Sequence, residues 1–316
     1  MKTTDLLDKL ARLRYPWPFK ILVTASVLYL VNKSLSKDQV PLLLNNISLL
    51  PVAAALALGC LSFYCQVRRW KVVLDAWGIG ADLVAALRTM LWGCLLAFIT
   101  PGRAGELMRG FSLPALKKGH TVYATIADKA FAGVTALVFG IICCFVALAR
   151  NLAAGWGQRT VIIGSAAVLA VTGIFCALRS RPFINNILDN VPAFSPRKLR
   201  GIVLYSLASH ILLLIQTAML LSMFGNAGFI DNVLASGQAY AFMMFFPFFI
   251  ANMGIREYSF ALFSSHAPTA AGNAGYAGLS GIAFGASMGI LVINIMLPAL
   301  IGLVWWIIGK KCGSNN

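Results

Sequence analysis

The chain has 316 residues, of which 59% are hydrophobic and only 11% are charged. A soluble domain carries about 25% charged residues, and the polar intervals of this chain are too short for an ordinary folded domain. The composition therefore excludes a soluble protein and predicts one all-helical transmembrane domain over residues 1–316. The net charge of +16 does not indicate nucleic-acid binding, because basic residues cluster beside apolar segments as they do in cytoplasmic loops.

Six apolar segments are long enough, or nearly so, to cross a bilayer, which takes about 20 residues of helix. They follow residues 6–13, which are typical of an interfacial amphipathic helix, and no cleavable signal sequence is expected. The predicted spans are residues 19–36, 47–67, 121–148, 160–178, 200–224 and 279–308.

Two further apolar stretches are each interrupted by helix-breaking residues. The first, 82–116, breaks at Thr100, Pro101 and Gly102; the second, 231–265, breaks around Pro247 and again from Asn252 to Gly254. Each stretch has the length of two half-helices, which predicts two re-entrant helical hairpins. Broken helices at membrane depth are tolerated only where they are buried in protein or line a cavity.

The distribution of basic residues predicts the topology. With both termini in the cytoplasm and both hairpins returning to the side they entered, 18 Lys and Arg residues fall inside and four fall outside. This asymmetry favours a multi-pass protein of a prokaryotic cytoplasmic membrane. Residues 1–150 and 155–316 then share the order span, span, hairpin, span in opposite orientations, which predicts an inverted repeat, an architecture typical of transporters.

The two glutamates of the chain, Glu106 and Glu257, each follow a hairpin break. Thr100 is a suitable N-cap with Pro101 at the first helical position, and Asn252 is a suitable N-cap for the second half-helix. Helix N-termini bind anions through their free N–H groups and partial positive charge. We therefore expect a polar substrate site between the two breaks.

The predicted span 121–148 also carries an acidic and a basic residue. A charge at the bilayer centre costs about 2.5–3.5 kcal/mol, so such residues face one another or a wet cavity. The predicted substrate-binding set is Arg103, Glu106, Arg109, Asp128, Lys129, Arg256 and Glu257.

Two interpretations of this set remain open. Arg109 with Asp128, or Arg256 with Glu106, would serve as internal ion pairs that only hold the hairpins together. Alternatively, four cations against three acids leave one positive charge for an anionic group such as a phosphodiester. The seven cysteines and three histidines show no metal-ligand spacing, so neither a metal nor a cofactor is expected.

The segment Pro101-Gly-Arg-Ala-Gly-Glu-Leu-Met-Arg109 resembles a motif of the lysylphosphatidylglycerol synthase transmembrane-region family, Pro-Gly-x-x-Gly-Glu-x-x-Arg. Gly254 and Glu257 resemble its second motif, Gly-x-x-Glu, and the resemblance covers roughly residues 20–308. This chain has Asp128-Lys129 where the family tends to have Glu-Arg. The family includes the flippase half of the multiple peptide resistance factor and standalone membrane proteins associated with glycosyltransferases.

The resemblance implies a transporter that moves a lipid between leaflets, with a cargo such as an aminoacyl-phospholipid or a polyprenyl-phosphate sugar. Its partners would be membrane lipids and a glycosyltransferase or lipid-modifying enzyme, and a homo-oligomer is compatible with the sequence. Two alternatives stay open. One is a membrane enzyme that uses Glu106 or Glu257 as a general base, and the other is a non-transporting anchor for a glycosyltransferase.

Overall fold

The structure is a computed structural model that describes residues 48–112, 118–152, 194–225, 227–244, 255–264 and 276–313. The predicted interfacial helix at 6–13 and the predicted spans 19–36 and 160–178 lie outside these residues. Every regular element in the described ranges is helical. The α-helices are α1 (Leu49–Ala76), α2 (Leu83–Ile99), α3 (Lys118–Leu152), α4 (Pro196–Phe224), α5 (Phe229–Met243), α6 (Ile255–Ser264), α7 (Tyr276–Leu291) and α8 (Leu297–Gly313).

Four helical segments are long and apolar enough to cross a membrane: Leu49–Ala76, His120–Ala147, Pro196–Phe224 and Gly281–Trp305. They confirm four of the predicted spans. The last of them includes a π-helical turn, Val292–Met296, between α7 and α8. Their outer surfaces carry many exposed apolar side chains, as expected for helices surrounded by lipid.

Local sequence signals set the ends of these helices. α1 ends in a turn at Gly78, whose φ of +71° is a left-handed conformation that glycine adopts without strain. Asp82 caps α2 by accepting a hydrogen bond from the backbone N–H of Ala85. Ser195 caps α4 in the same way from Lys198, and Pro196 follows it at the start of the helix.

The first predicted break lies where the sequence places it. α2 ends at Ile99, Thr100 is extended, and its hydroxyl donates to the Leu96 carbonyl and accepts from the Gly105 N–H, both at 2.7 Å. Thr100 therefore caps the end of one helix and the start of the next. The second arm turns back along α2, and a Cβ at Gly105 would lie 2.4 Å from the Leu96 carbonyl oxygen.

This second arm, Pro101–Ser112, is a 3₁₀ helix. The half-helix predicted here is therefore present, but it is wound as a 3₁₀ helix rather than an α-helix. In a 3₁₀ helix, residues three apart lie directly above one another, so Glu106 and Arg109 share one line along the arm. That this hairpin is re-entrant in a membrane stays a prediction.

In the second half, α5 and α6 pack together through edge-to-face aromatic contacts. The ring centroids of Tyr240 and Phe260 lie 5.7 Å apart, and those of Phe242 and Phe263 lie 5.9 Å apart. The predicted break, with Asn252 and Gly254, lies outside the described residues.

Each described contact between a helix of the first half and one of the second half has an equivalent in which the two halves change places. α1 packs on α4, its counterpart; α3 packs on α5; and α8 packs on α2. Small residues allow these close approaches: a Cβ at Gly140 would lie 2.1 Å from the Cβ of Ala241, and one at Gly302 would lie 2.6 Å from the Leu91 carbonyl oxygen. The inverted repeat itself stays a prediction.

Candidate functional site

A buried carboxylate in the first third of α3 joins three elements. Asp128 has no exposed surface, and it accepts hydrogen bonds from Arg69 Nε at 2.7 Å and Arg69 Nη2 at 3.3 Å. Arg109 Nη2 donates to the same carboxylate at 2.7 Å. Two guanidinium groups, one from α1 and one from the 3₁₀ helix, are therefore held by one acid.

Arg109 is fixed further by an aromatic ring. Its guanidinium carbon lies 3.7 Å from the centroid of the Trp70 ring, a cation–π contact in a water-free environment. The Trp70 indole N–H donates to Thr89 Oγ1 at 2.8 Å, and Arg109 Nη1 lies 3.0 Å from Met90 Sδ. These contacts lock Arg109 into the protein interior and hold its charge on Asp128.

The remaining pair of the first half is partly open. Lys129 follows Asp128 on α3 and forms an ion pair with Glu106 of the 3₁₀ helix. The Lys129 side chain is 43% exposed, whereas that of Glu106 is 7% exposed. The ammonium group of Lys129 therefore faces accessible space, whereas the carboxylate of Glu106 is buried.

A second charged cluster lies on α6. Arg256 and Glu257 are both buried, and Arg256 Nη2 lies 3.2 Å from Glu257 Oε1. Ser287 of α7 lies between them, because its hydroxyl accepts from Arg256 Nε and donates to Glu257 Oε1. No hydrogen bond from Arg256 Nη1 occurs within the described part of the chain.

A cavity of about 350 Å³ separates the two clusters. Three cations line it: Arg69 from α1, Lys129 from α3 and Arg256 from α6. None of the described lining residues carries a carboxylate, since Asp128, Glu106 and Glu257 contact the cations without lining the cavity. The neutral polar residues of the lining are Gln66, Ser206, Ser209, His210, Tyr240 and Asn294.

This geometry is suited to binding an anion. Guanidinium and ammonium groups form short charge-assisted hydrogen bonds to phosphate or carboxylate oxygens, and an arginine presents two N–H groups to one such group. Each lining cation also contacts an acid, so none of the three is an uncompensated charge inside the protein.

The structure brings together four of the predicted site residues, Glu106, Arg109, Asp128 and Lys129, and places Arg256 and Glu257 across the cavity from Lys129. For Arg103, Pro101 and Gly102 it describes only the backbone, in the first turn of the 3₁₀ helix.

One of the two predicted ion pairs forms and the other does not. Arg109 pairs with Asp128 as expected, but Arg256 pairs with Glu257 rather than with Glu106. Glu106 pairs with Lys129 instead. Arg256 bonds instead to its sequence neighbour Glu257 and to Ser287 of α7. The two clusters therefore remain on separate sides of the cavity.

Sequence reasoning missed Arg69, which it assigned to a cytoplasmic basic cluster because the predicted span ended at residue 67. The helix continues to Ala76, and Arg69 is only 3% exposed. A signal was present in the sequence: Ser62, Gln66 and Arg69 recur at helical spacing within an apolar helix, which indicates one polar face.

The comparison with protein families agrees with this architecture. The model of the family described as "Lysylphosphatidylglycerol synthase TM region" matches residues 17–293, a range that includes both charged clusters and all of the described cavity lining except Asn294 and Ile295. Neither a curated protein nor a solved structure matches the chain. Since the match covers most of the chain, the protein belongs to the lysylphosphatidylglycerol synthase transmembrane-region family.

Proposed function

We propose that this protein is a lipid transporter of the flippase or scramblase type, which moves a lipid with an anionic or modified polar headgroup across the cytoplasmic membrane. The observation that carries the proposal is the cavity between membrane-spanning helices, lined by three cations and by no carboxylate among the described residues. The headgroup would occupy this cavity while the lipid tails stay in the bilayer.

The physical reason is the cost of moving a charged headgroup through hydrocarbon. An isolated ion in an apolar medium is strongly destabilised, whereas each hydrogen bond to a charged group offsets about 1.5–3 kcal/mol. Arg69, Lys129 and Arg256 offer several such bonds at one place. A binding site of this kind lowers the barrier to leaflet exchange without any change in covalent bonds.

Two features of the fold support a transporter. α2 and the 3₁₀ helix turn back on each other at Thr100, which fits a re-entrant hairpin that lines a cavity. The helix contacts also keep their pattern when the halves are exchanged, which fits an inverted repeat with a central substrate site. A separate glycosyltransferase or lipid-modifying enzyme would then supply the lipid, and this protein would move it.

The test is leaflet exchange in proteoliposomes that contain purified protein and a fluorescent anionic lipid, with an impermeant quencher outside. We expect Arg256→Ala to slow exchange by at least about tenfold, equivalent to about 1.4 kcal/mol on the barrier. Arg150→Ala is the matched control, because Arg150 pairs with Asp231 and does not line the cavity.

The same samples distinguish transport from enzymatic chemistry. The lipids are extracted after exchange and analysed by mass spectrometry. A transporter leaves their masses unchanged, whereas conversion of the headgroup would replace the transport proposal with an enzyme. Exchange at the wild-type rate in a monodisperse Arg256→Ala protein would contradict the headgroup site.

A further inference from the structure

The neutral polar residues of the cavity form a surface of their own, beside the three cations. Gln66 lies on α1, and Ser206, Ser209 and His210 lie on α4, the helix packed against it. The spacing of three and four residues places them on one face of each helix. Two spans that pack together in a membrane protein therefore turn amide, hydroxyl and imidazole groups toward the cavity.

Part of this hydrogen-bonding capacity is unused within the described protein. His210 Nε2 is buried and has no hydrogen-bond partner among the residues that the structure describes. The partly buried Gln66 makes one long hydrogen bond in the same region, from Nε2 to Ser62 Oγ at 3.4 Å, and its carbonyl oxygen accepts none from the described residues. By contrast, the Tyr240 hydroxyl bonds to Thr217 and the Asn294 amide bonds to Gln216. A buried polar group without a partner is uncommon, so His210 Nε2 is the atom of this surface most available to a polar ligand.

The placement of the acids is equally informative. The chain has ten acidic residues, and the structure describes six of them. Three contact the cations that line the cavity. The other three lie at helix ends: Asp75 pairs with Lys71, Asp231 pairs with Arg150, and Asp82 caps α2. None of the six lines the cavity, so an ammonium group there would meet cations without a carboxylate from the described residues.

We propose that the cavity selects headgroups that combine one phosphodiester with neutral hydroxyl groups, such as a polyol or sugar phosphate, and discriminates against aminoacylated headgroups. The cations hold the phosphodiester, and Gln66, Ser206 and His210 bind the hydroxyls. An aminoacyl ester adds an ammonium group that the lining cations repel. This inference rests on the proposed function for its cargo, but it concerns binding and is tested separately from transport.

The experiment compares three lipids with the same acyl chains and the same phosphodiester. Phosphatidylglycerol carries two hydroxyls, phosphatidylmethanol carries none, and lysyl-phosphatidylglycerol adds two ammonium groups. Binding to the purified full-length protein in neutral detergent is measured by native mass spectrometry. We expect phosphatidylglycerol to bind at least about threefold more tightly than phosphatidylmethanol and at least about tenfold more tightly than the lysyl lipid.

Two variants assign the preference to residues. Gln66→Leu combined with His210→Phe should bring the affinity for phosphatidylglycerol to the level of that for phosphatidylmethanol, and the ratio of the two affinities is the readout. Gln66→Glu, nearly identical in shape, places a carboxylate in the cavity and should shift the preference toward the lysyl lipid. Thr135→Val is the control, because Thr135 bonds to the Phe131 carbonyl and does not line the cavity.

The outcomes separate this inference from the transport proposal. A preference for phosphatidylglycerol without leaflet exchange would support the binding selectivity and contradict transport. Equal binding of all three lipids by the wild-type protein, or tighter binding of the lysyl lipid, overturns the inference even where exchange proceeds. The wild-type comparison stands alone if the double variant does not fold.

Discussion

The two charged clusters beside the cavity differ in which helices their ion pairs connect. Asp128 joins α1, α3 and the 3₁₀ helix, because it holds Arg69 and Arg109 together. Arg256 and Glu257 are neighbours on α6, and Ser287 of α7 bonds to both of them. The first cluster therefore joins three separate elements through one acid, whereas the second pairs two residues of one helix beside the cavity.

This difference separates the two interpretations that the sequence left open. The ion-pair interpretation fits Arg109, which is bonded to Asp128 and covered by Trp70. The substrate interpretation fits Arg256, which lines the cavity. Charged residues of one membrane protein thus divide into structural and binding roles according to whether the cation is covered by protein or lines the cavity.

The largest effect is expected from removing the shared acid. Asp128→Asn leaves two buried arginines without a carboxylate, and breaking a buried pair in this way costs about 3–5 kcal/mol. We expect the free energy of unfolding in detergent, measured by chemical denaturation, to fall by that amount. Asp75→Asn breaks a partly exposed pair with Lys71 and should cost less than about 1 kcal/mol. Equal losses in the two variants would remove the distinction between the clusters.

Lysine substitutions compare the two arginines directly. Arg109→Lys loses both the bond to Asp128 in its present geometry and the stacking on Trp70, so it should cost about 1–3 kcal/mol of stability. Arg256→Lys keeps a cation at the cavity but loses the Nε–H bond to Ser287, so it should cost about 1 kcal/mol of stability, with exchange slowed by about threefold. Thermal unfolding and leaflet exchange are measured on both proteins. A more stable Arg109→Lys than Arg256→Lys would reverse the assignment.

Glu106 is an intermediate case between a structural ion pair and a binding residue, because its partner Lys129 lines the cavity. Glu106→Gln keeps the shape of the side chain but removes the charge that positions Lys129. We expect exchange to slow by about threefold, while stability changes by less than about 1 kcal/mol since the pair is partly exposed. A variant that unfolds during purification but keeps normal specific activity would make Glu106 a structural partner only.

The sequence predicts the features of this fold that depend on composition and local geometry. Apolar length predicts four described spans, and Thr100 with Pro101 predicts the break between α2 and the 3₁₀ helix. The pair Arg109–Asp128 follows from the need to neutralise buried charges. These signals are local, and one sequence is sufficient to detect them.

The features that sequence reasoning missed depend on tertiary packing. Whether Arg69 lies at the membrane surface or inside depends on how far α1 continues and which face meets α3. Whether Arg256 bonds to Glu106 or Glu257 depends on the distance between two hairpins. The 3₁₀ form of the second arm depends on its close packing against α2 at Gly105. All of these features depend on how distant segments pack together, which the spacing of residues along the chain does not determine.

The smallest predicted effect concerns the hydroxyl that orients Arg256. Ser287 accepts a hydrogen bond from Arg256 Nε and donates one to Glu257, so Ser287→Ala leaves both charges in place but frees the arginine to rotate. Losing hydrogen bonds of this kind costs about 1 kcal/mol of stability. The rate of leaflet exchange should fall by about twofold to fivefold, or roughly 0.4–1 kcal/mol on the barrier, because the guanidinium is no longer held toward the cavity.

Ser259→Ala is the matched control for this variant. Ser259 lies on the same helix as Arg256 and is also buried, but its hydroxyl donates to the Ile255 carbonyl one turn earlier. It should therefore change stability slightly and exchange not at all. If both serine variants exchange lipid at the same rate, Ser287 does not orient Arg256 toward the cavity. The second cluster would then be a structural ion pair like the first, and the headgroup site would depend on Arg69 and Lys129 alone.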